Sequence, residues 1–481
     1  MLLTIEGKHV TVVGMARSGT GAANLLAALG ASVVVTDMKR EDELAEFLQD
    51  LNPAVEAILG EHPEAIFTHT DMVILSPGVH SDMQQVLHAR QAGIPVLGEL
   101  ELAYQLAVFG SDNPRVPPII RAGGGGFLAV TGANGKSTTT ALLDWMMRKC
   151  GFDTLLGGNI GNALTREILL KIKQKQTVDY VVAEVSSFQL ETVTLFKPRG
   201  AAIINITEDH LDRYHSMDAY THAKARIFEN QGEGDFLVLN ADDPVTMRLY
   251  TEQLTGRKTS APNIYFFSRR AAVDGIYTSN GEVFCNFQQG KLRGLNGKLV
   301  GAEEICIQGV HNLENAMAAS AMALLAGCSM DAIQESLREF PGLEHRLEFV
   351  RELEGVRYFN DSKGTNIGAV IKSIESFESP IVLIAGGRDK SGDFLQLKEL
   401  VRARVKALVL IGESREKIMR ALGDATDTVA AADLKDAVEI SRKRAVHGDV
   451  VLLSPACASF DMFANFEDRG RRFKKIVMEL Q

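Results

Sequence analysis

The sequence predicts an α/β protein made of doubly wound parallel sheets. Short runs rich in β-branched residues recur along the chain and end at Gly, Ser or Asp, which is typical of buried parallel strands. Helical patterns lie between many of these runs, as expected for repeated strand–helix units. The predicted strands are residues 10–13, 32–36, 72–75, 127–130, 180–183, 201–206, 236–239, 381–384, 407–411 and 450–453. The clearest predicted helices are residues 21–29, 138–149, 312–326 and 434–445.

The strand–helix units fall into three blocks, and 481 residues exceed the size of one ordinary core. We therefore predict a Rossmann-like first domain at 1–97, a central phosphate-loop domain at 98–341 and a Rossmann-like third domain at 342–481. A stretch with several Pro and Gly residues, ending in the run Gly123–Gly126, is expected to be a linker or exposed loop without a chemical role. Hairpin signals over residues 263–300 predict a small antiparallel patch inside the central domain.

Composition excludes several classes of protein. The net charge is −10, 46% of residues are hydrophobic, and no long run of like charge occurs, so neither a disordered chain nor a nucleic-acid-coating protein is expected. No stretch reaches about 18 apolar residues and no export signal is recognised at the amino terminus, so we expect a cytoplasmic protein without a membrane span. The cysteines are far apart and form no C-x-x-C pair, so neither a disulfide framework nor a zinc site is predicted. They are Cys150, Cys285, Cys306, Cys328 and Cys457.

Residues 128–140 combine an apolar strand, a glycine turn, a lysine and hydroxyls at a helix start, which is the pattern of a phosphate-binding loop. Gly132 and Gly135 let backbone N–H groups approach phosphate oxygens, and Lys136 adds a point charge. Ser137 or Thr138 can offer a hydroxyl to Mg²⁺. Position 130 is valine, where the full G-x-x-x-x-G-K-[ST] pattern has glycine, so the loop is a shorter variant. The alternative is a turn that only starts a helix.

Two further positions suit a metal-assisted phosphoryl-transfer site. Glu184 directly follows a predicted strand, where a carboxylate faces the phosphate loop and can bind Mg²⁺, although it could also cap a helix. His210 follows two acids at the end of another strand, and its alternative role is that of an ordinary turn histidine. Lys224 lies on a predicted helix, where a solvated lysine is the ordinary interpretation.

The first block opens with a strand, a glycine turn and a helix, which is a nucleotide-type βαβ start. Ala16 replaces the middle glycine of the dinucleotide fingerprint, so NAD is disfavoured. Asp37 ends the next strand and could accept hydrogen bonds from a ribose or a base, or could cap a helix. Gly78, in Ser76-Pro-Gly78, would close the same crevice.

The third block carries cationic and hydroxyl groups at turns beside strands, and these suit an anionic substrate and a phosphoryl intermediate. Each could instead be structural. The groups lie in His345-Arg346, in residues 360–365, in residues 386–390 and in residues 454–459.

These motifs resemble those of the Mur ligases of bacterial cell-wall synthesis, and the resemblance covers nearly the whole chain. Residues 131–137 are similar to the family's ATP loop, with Ala133 where threonine or serine is common. Residues 454–470 resemble the branch of the family that adds D-glutamate. Further segments are shared in kind among the amide ligases of this superfamily, namely residues 184–190, 207–214, 311–315 and 360–363.

The resemblance implies an ATP-dependent ligase that activates the carboxylate of UDP-N-acetylmuramoyl-L-alanine as an acyl phosphate. The amine of D-glutamate then attacks, and a tetrahedral intermediate collapses to amide, ADP and phosphate, in peptidoglycan precursor synthesis. A monomer with no nucleic-acid partner is the family expectation. Three alternatives stay open: a Mur-type or folylpolyglutamate-type ligase for a different amino acid, an NAD-dependent oxidoreductase, and a nucleotide-binding regulator without turnover.

The resemblance also implies roles for individual residues, including two Mg²⁺ sites and a carbamylated Lys224. The implied catalytic and metal-binding residues are Lys136, Ser137, Glu184, His210 and Lys224. The implied ATP contacts are Gly132, Asn134, Gly135, Lys136, Ser137, Thr138, Asn312, Arg346 and Asp361, with Lys363 near the transferred phosphate. The implied UDP-substrate contacts are Ser18, Asp37, Lys39, Gly78 and Asn159. The implied D-glutamate contacts are Thr365, Lys390, Ser459 and Phe466.

Overall fold

The structure is a computed structural model that describes residues 3–114, 116–255, 261–307, 309–389 and 392–481, without the side chains of 211 and 212. Its described residues form three sheets, each covered by helices, and this confirms the predicted three-domain α/β class. The chain forms two compact units. One comprises Met1–Ile305 and Glu314–Arg338, and the other comprises Cys306–Leu313 and Glu339–Gln481.

The first sheet is entirely parallel, with strand order β3-β2-β1-β4-β5. Its strands are β1 (His9–Val13), β2 (Ser32–Asp37), β3 (Glu56–Leu59), β4 (Met72–Leu75) and β5 (Val96–Gly98). Its helices are α1 (Arg17–Ala28), α2 (Ala45–Gln49), α3 (Ala65–Thr68), α4 (Gln84–Gln91) and α5 (Glu99–Phe109). The order reverses between β1 and β4, and a switch point of this kind opens a ligand crevice at the carboxyl ends of the strands.

The second sheet has the order β14-β13-β12-β11-β10-β9-β6-β8-β7. Its strands are β6 (Gly126–Thr131), β7 (Thr154–Gly158), β8 (Tyr180–Glu184), β9 (Gly200–Ile203), β10 (Phe236–Asn240), β11 (Asn263–Ser268), β12 (Gly275–Ser279), β13 (Glu282–Asn286) and β14 (Asn296–Gly301). Its helices are α6 (Lys136–Lys149), α7 (Leu164–Gln174), α8 (Ser187–Leu190), α9 (Leu211–Tyr214), α10 (Met217–Ala225), α11 (Pro244–Gln253), α12 (Val310–Ala326) and α13 (Met330–Glu339). Within the described part of this sheet, the antiparallel pairs are β12–β13 and β13–β14. The predicted antiparallel patch is therefore confirmed from β12 onward, but β11 instead extends the parallel sheet beside β10.

The third sheet has the order β15-β16-β20-β17-β18-β19, parallel except for the edge pair β15–β16. Its strands are β15 (Glu348–Leu353), β16 (Val356–Asn360), β17 (Ile381–Gly386), β18 (Val405–Ile411), β19 (Asp427–Ala430) and β20 (Val450–Leu453). Its helices are α14 (Ile367–Glu375), α15 (Lys398–Arg404), α16 (Arg415–Leu422), α17 (Leu434–Arg444) and α18 (Phe466–Glu479). Neighbouring residues such as Val451 and Leu452 belong to different buried clusters, so both faces of the sheet are covered.

The glycine run begins in an exposed turn at Gly123, as the predicted exposed loop would, and then becomes partly buried at Gly124 and Gly125. The Gly125 N–H donates to the Asp179 carbonyl at 2.9 Å. A Cβ atom on Gly125 would overlap the ring of Tyr180, so this position lets the aromatic ring pack against the backbone. Among the helices that the structure describes, none has the length and apolar character needed to cross a membrane.

Candidate functional site

The predicted phosphate loop connects β6 to α6. Gly135 precedes the helix with φ of +81°, a conformation that favours glycine, and an added Cβ would overlap the Asn315 side-chain oxygen. The Lys136 ammonium donates to the Ala133 carbonyl at 2.9 Å and so lies over the loop. Thr139, one turn into α6, donates to Asn315 of α12 at 3.2 Å. Asn315 of α12 therefore packs against the phosphate loop and the first turn of α6.

Asn205, which was not among the predicted site residues, holds the loop from the side. Its Oδ1 accepts from the N–H groups of Ala133 and Asn134 at 3.1 and 2.8 Å, and its Nδ2 donates to the Asn134 carbonyl at 3.0 Å. Asn205 follows β9, which pairs with the loop strand β6. The signal available in the sequence was its position near the end of the predicted strand 201–206.

Glu184 ends β8 and is 1% exposed. Its Oε1 accepts from the Asn159 side chain at 2.7 Å, while its Oε2 is buried without a hydrogen-bond partner among the described residues. A buried carboxylate oxygen with no donor is costly unless a cation or ligand satisfies it. This geometry fits an Mg²⁺ ligand. Asn159, predicted to contact the sugar–peptide part of a substrate, lies directly beside Glu184.

Lys224, predicted from a helix pattern, is almost fully buried on α10 at 1% exposure. Its ammonium donates to the Gly132 carbonyl at 2.8 Å and lies 4.5 Å from the centre of the Tyr220 ring. Burial, and secondarily the charge of Lys136, hold the pKa of Lys224 well below its usual value, against the opposing effects of Asp209 and Glu184. The solvated-lysine alternative is therefore wrong, and Lys224 faces the same loop as Lys136.

His210 lies in the turn before α9 with φ of +54°. Its Nε2 is 3.5 Å from Asp209 Oδ2, and its ring packs 4.6 Å from that of Phe188. Its side chain is 45% exposed, so it remains available to a ligand. Lys136, Glu184 and Lys224 are thus grouped around the loop, with His210 at its exposed edge beside Asp209.

The residues predicted to hold the UDP end of a substrate lie at the start of α1 and at the carboxyl ends of β2 and β4. Ser18 is the second residue of α1, while Lys39 and Gly78 are exposed on the turns that follow β2 and β4. Asp37 accepts from the Met15 N–H at 2.7 Å and from the Lys39 N–H at 2.9 Å. Asp37 thus binds two N–H groups of turns and caps none of the described helices, since α1 has no side-chain cap, and the carboxylate keeps lone pairs for a further donor.

Arg213, also absent from the predicted set, connects this crevice to the central domain. Its guanidinium pairs with both carboxylate oxygens of Glu191 at 2.6 and 3.0 Å and donates to the Val79 carbonyl at 3.1 Å. It also lies 4.5 Å from the centre of the Phe188 ring. One side chain therefore ties the turn after β4 to the segment that contains His210.

In the second unit, the turn before β15 carries Arg346 between two residues with positive φ, His345 (+66°) and Leu347 (+43°). Asp361 accepts from the Leu347 N–H at 3.3 Å, and the His345 carbonyl accepts from the Lys363 N–H at 3.0 Å. The predicted nucleotide contacts Arg346 and Asp361 and the predicted phosphate contact Lys363 are brought together by these bonds.

Asp361 is a buried carboxylate at the end of β16. Its Oδ2 accepts from the hydroxyls of Ser373 and Ser454, each at 2.6 Å. Burial raises the pKa of Asp361 to about 6, although both hydroxyls oppose the shift. The positive charge of Arg346 also opposes the rise in the pKa of Asp361, so these two predicted nucleotide contacts interact electrostatically.

Three of the predicted D-glutamate contacts, Thr365, Ser459 and Phe466, follow the carboxyl ends of the neighbouring parallel strands β16 and β20. Lys363 lies 3.8 Å from the centre of the Phe466 ring, Thr365 donates its N–H to the Lys363 carbonyl at 2.8 Å, and Ser459 is buried. Lys390 lies outside the described residues. Asn312 lies in the first turn of α12, in the short segment Cys306–Leu313 that belongs to this second unit.

Arg469 is a buried residue of this region that the predictions missed. It has no exposed surface and donates to the hydroxyl and the carbonyl of Ser362, both at 2.9 Å, and to the Cys457 carbonyl at 3.3 Å. It therefore fixes the loops after β16 and β20 against each other. Arg469 belongs to the segment 454–470 that carried the resemblance to D-glutamate ligases, and that was the available signal.

Three family models match the chain in succession. They are the Mur ligase MurD-like N-terminal domain over residues 8–98, the Mur ligase middle domain over residues 130–323, and the Mur ligase glutamate ligase domain over residues 345–457. A protein of Geotalea daltonii named UDP-N-acetylmuramoylalanine–D-glutamate ligase is 44% identical over 482 residues, which cover 99% of each chain.

Two solved structures of Thermotoga maritima proteins share the fold. The UDP-N-acetylmuramate–alanine ligase MurC superposes with a TM-score of 0.56 at 18% identity, covering 98% of this chain and 99% of that one. The MurF ligase in complex with ADP gives 0.55 at 16% identity, covering 93% and 95%. At these identities the structures support the architecture alone, whereas the full-length sequence match establishes kinship. The chain belongs to the Mur ligases, within their UDP-N-acetylmuramoylalanine–D-glutamate ligase family.

Proposed function

We propose that this enzyme uses ATP to join D-glutamate to UDP-N-acetylmuramoyl-L-alanine, releasing ADP and phosphate. The observation that carries the proposal is the grouping of Lys136, Lys224 and the half-satisfied carboxylate of Glu184 around the phosphate loop. The full-length relative of that name supports the choice of substrates. An oxidoreductase or a regulator without turnover would leave this group of residues without a role.

Each domain contributes one substrate site in this proposal. Domain 1–97 holds the UDP end, with Ser18, Asp37, Lys39 and Gly78 around the crevice at the carboxyl ends of β1, β2 and β4. Domain 98–341 holds the triphosphate, and Asn159 contributes to the sugar–peptide site. Domain 342–481 holds D-glutamate, with Lys390 as the partner of a substrate carboxylate. The proposed D-glutamate contacts are Thr365, Lys390, Ser459 and Phe466.

ATP binds with its phosphates on the amide groups of the loop and the positive end of α6. Lys136 then leaves the Ala133 carbonyl and holds the β and γ phosphates. The fold neighbour MurF was solved in complex with ADP, which supports a nucleotide site in this architecture. The remaining proposed nucleotide contacts are Gly132, Asn134, Gly135, Ser137, Thr138, Asn312, Arg346 and Asp361.

Two Mg²⁺ ions fit the donors at this edge of the loop. Ser137 and Glu184 would hold one ion, and His210 and Lys224 would hold the other. An ammonium repels a divalent cation, so we propose that Lys224 is carbamylated, which converts it into an oxygen ligand. Its burial among Gly132, Tyr220 and Glu184 favours an uncharged form that can react with CO₂. The bound ions would offset charge that develops on the transferred phosphoryl group.

The chemistry then proceeds in two balanced steps. A carboxylate oxygen of the L-alanine unit attacks the γ-phosphorus of ATP, the bond to the bridging oxygen breaks, and ADP leaves. The amine of D-glutamate attacks the acyl carbon, and the tetrahedral intermediate loses a proton and expels phosphate as the amide forms. Lys136 and Lys363 stabilise the negative charge on the phosphoryl group in both steps. A cytoplasmic monomer is proposed for the enzyme itself.

Phosphate release measured with combinations of substrates tests this function. We expect release above background only when ATP, UDP-N-acetylmuramoyl-L-alanine and D-glutamate are all present. Phosphate release with a different amino acid, and none with D-glutamate, would show that the enzyme is a ligase for that other amino acid. Oxidation of NADH without phosphate release would reject the proposal.

A further inference from the structure

Two cysteines that are distant in the sequence meet in the central domain. Cys150 follows the last residue of α6, and Cys328 lies in the connection between α12 and α13. The Cys150 side chain lies close enough to that of Cys328 to influence the pKa of the Cys328 thiol. Both residues also approach one backbone carbonyl, because Met146 O accepts from the Cys150 N–H at 3.0 Å and lies 3.8 Å from Cys328 Sγ.

The pair lies at the far end of two helices that share the phosphate loop at their near end. Thr139 of α6 and Asn315 of α12 are hydrogen-bonded beside the loop. From those residues to the cysteines, each chain advances by a similar number of residues, about 15–20 Å of helix. α6 and α12 are thus linked by Thr139 and Asn315 at one end, and Cys150 and Cys328 both approach the Met146 carbonyl at the other.

The environments of the two sulfurs differ. Cys150 is half-buried, whereas Cys328 is 6% exposed and its sulfur also contacts Met147 Sδ at 3.5 Å. Burial, followed by the neighbouring Cys150 side chain, raises the pKa of the Cys328 thiol. Because Cys150 is the more exposed of the two, it is the sulfur that meets a reagent first.

We propose that Cys150 and Cys328 form a redox-active dithiol site that accepts small-molecule disulfides of the glutathione class. The Cys150 thiolate attacks one sulfur of the reagent, breaks its S–S bond and releases one thiolate. Cys328 then loses its proton to solvent and attacks the Cys150 sulfur, expelling the second small thiol. The protein loses two electrons and two protons, and the reagent is reduced to two thiols.

The cross-link would connect the ends of α6 and α12 and close a loop that contains most of the central domain. A disulfide that closes a loop of this size stabilises a protein mainly by constraining its unfolded state. We expect the apparent Tm of the oxidised chain to rise by about 4 °C. Because α6 begins at the phosphate loop and Asn315 of α12 packs against it, oxidation would also restrain the nucleotide site.

The full chain carrying Cys306→Ser is the protein for the test, since Cys306 is exposed and would react on its own. After incubation with oxidised glutathione under native conditions, we expect the loss of two thiols per chain and a peptide that links Cys150 to Cys328. With Cys328→Ser added, the expected product is a glutathione adduct on Cys150 alone. With Cys150→Ser added, Cys328 should stay unmodified.

Cys285→Ser, which removes another buried thiol, serves as the matched control and should cross-link like the parent protein. The proposal is overturned if native protein keeps both thiols, if the linked peptide appears only in denaturant, or if Cys328 is modified equally without Cys150. An oxidised sample whose Tm is unchanged or lower would contradict the expected stabilisation.

Discussion

At the scale of single residues, the buried Lys224 has the most unusual environment. Its ammonium donates to the Gly132 carbonyl and lies against the Tyr220 ring. A buried lysine amine of this kind suits carbamylation, because burial favours the uncharged form that reacts with CO₂. The sequence indicated only a lysine on a helix; the burial depends on how α10 packs against the loop, which residue spacing along one helix does not reveal.

We predict that Lys224→Ala lowers kcat by about 100-fold, because a ligand beside the transferred phosphoryl group is lost. A small carboxylate such as formate should restore part of the activity by replacing the carbamate oxygens. Steady-state phosphate release measures both effects, with the exposed Lys173→Ala as a control that should stay fully active. Full activity in untreated Lys224→Ala would contradict the assigned role.

Asp361 gives a prediction about pH. Its pKa rises from 3.8 to about 6 on folding, so the folded state binds the proton more tightly than the unfolded state. This group therefore favours folding most below about pH 4, and its contribution declines as pH rises to about 6. Asp361→Asn removes this titration.

Between pH 5 and pH 7.5, the free energy of unfolding of the wild type should fall by about 1 kcal/mol more than that of Asp361→Asn. Urea denaturation at the two pH values measures the difference. Equal changes in both proteins would show that Asp361 does not titrate as its burial predicts.

At the scale of elements, the phosphate loop depends on one glycine at the start of α6. Gly135 has positive φ, and an added methyl group would overlap Asn315. Gly151, just after the same helix, also has positive φ but has open space around it. The two positions therefore separate backbone strain from the steric clash.

Gly135→Ala and Gly151→Ala should each lower the free energy of unfolding by about 1 kcal/mol through the left-handed conformation alone. Only Gly135→Ala should also weaken ATP binding, by about 10-fold or more, because the loop must shift to clear Asn315. Calorimetric titration with ATP compares the two variants. Equal ATP affinities would mean that the contact between loop and helix does not shape the site.

Strands with continuous apolar runs were predictable from the sequence. A strand that is buried on both faces needs no alternation of apolar and polar residues, so it is recognised as an unbroken apolar run. All ten predicted strands are observed, with shifts of a few residues at some of their ends. The missed strands β3, β5, β7, β15, β16 and β19 are short, lie towards the edges of their sheets or carry polar residues. β11 was assigned the wrong pairing because a run of aromatic residues does not specify the direction of its neighbour.

At the scale of the whole molecule, the site residues come from segments that are distant in the sequence. Individual motifs were visible, but Asn205, Arg213 and Arg469 act by joining segments that only the fold brings together. The same applies to Cys150 and Cys328. Periodicity identifies elements, whereas these contacts depend on strand order and helix packing.

Arg213 links the turn after β4 to the central domain, and it gives a prediction at this scale. Arg213→Lys keeps the charge but loses the two-point pairing with Glu191 and the bond to the Val79 carbonyl. The KM for UDP-N-acetylmuramoyl-L-alanine should rise by about 10-fold, with a much smaller change for ATP. Matched changes in both KM values would indicate a general loss of folding instead.

The transfer of oxygen from substrate to phosphate tests the account most directly. UDP-N-acetylmuramoyl-L-alanine labelled with oxygen-18 in its carboxylate is turned over with ATP and D-glutamate, and the released phosphate is analysed by mass spectrometry. Activation through an acyl phosphate predicts that one labelled oxygen appears in each phosphate, and that release requires D-glutamate. Unlabelled phosphate, or release that does not depend on D-glutamate, would contradict the proposed ligase mechanism.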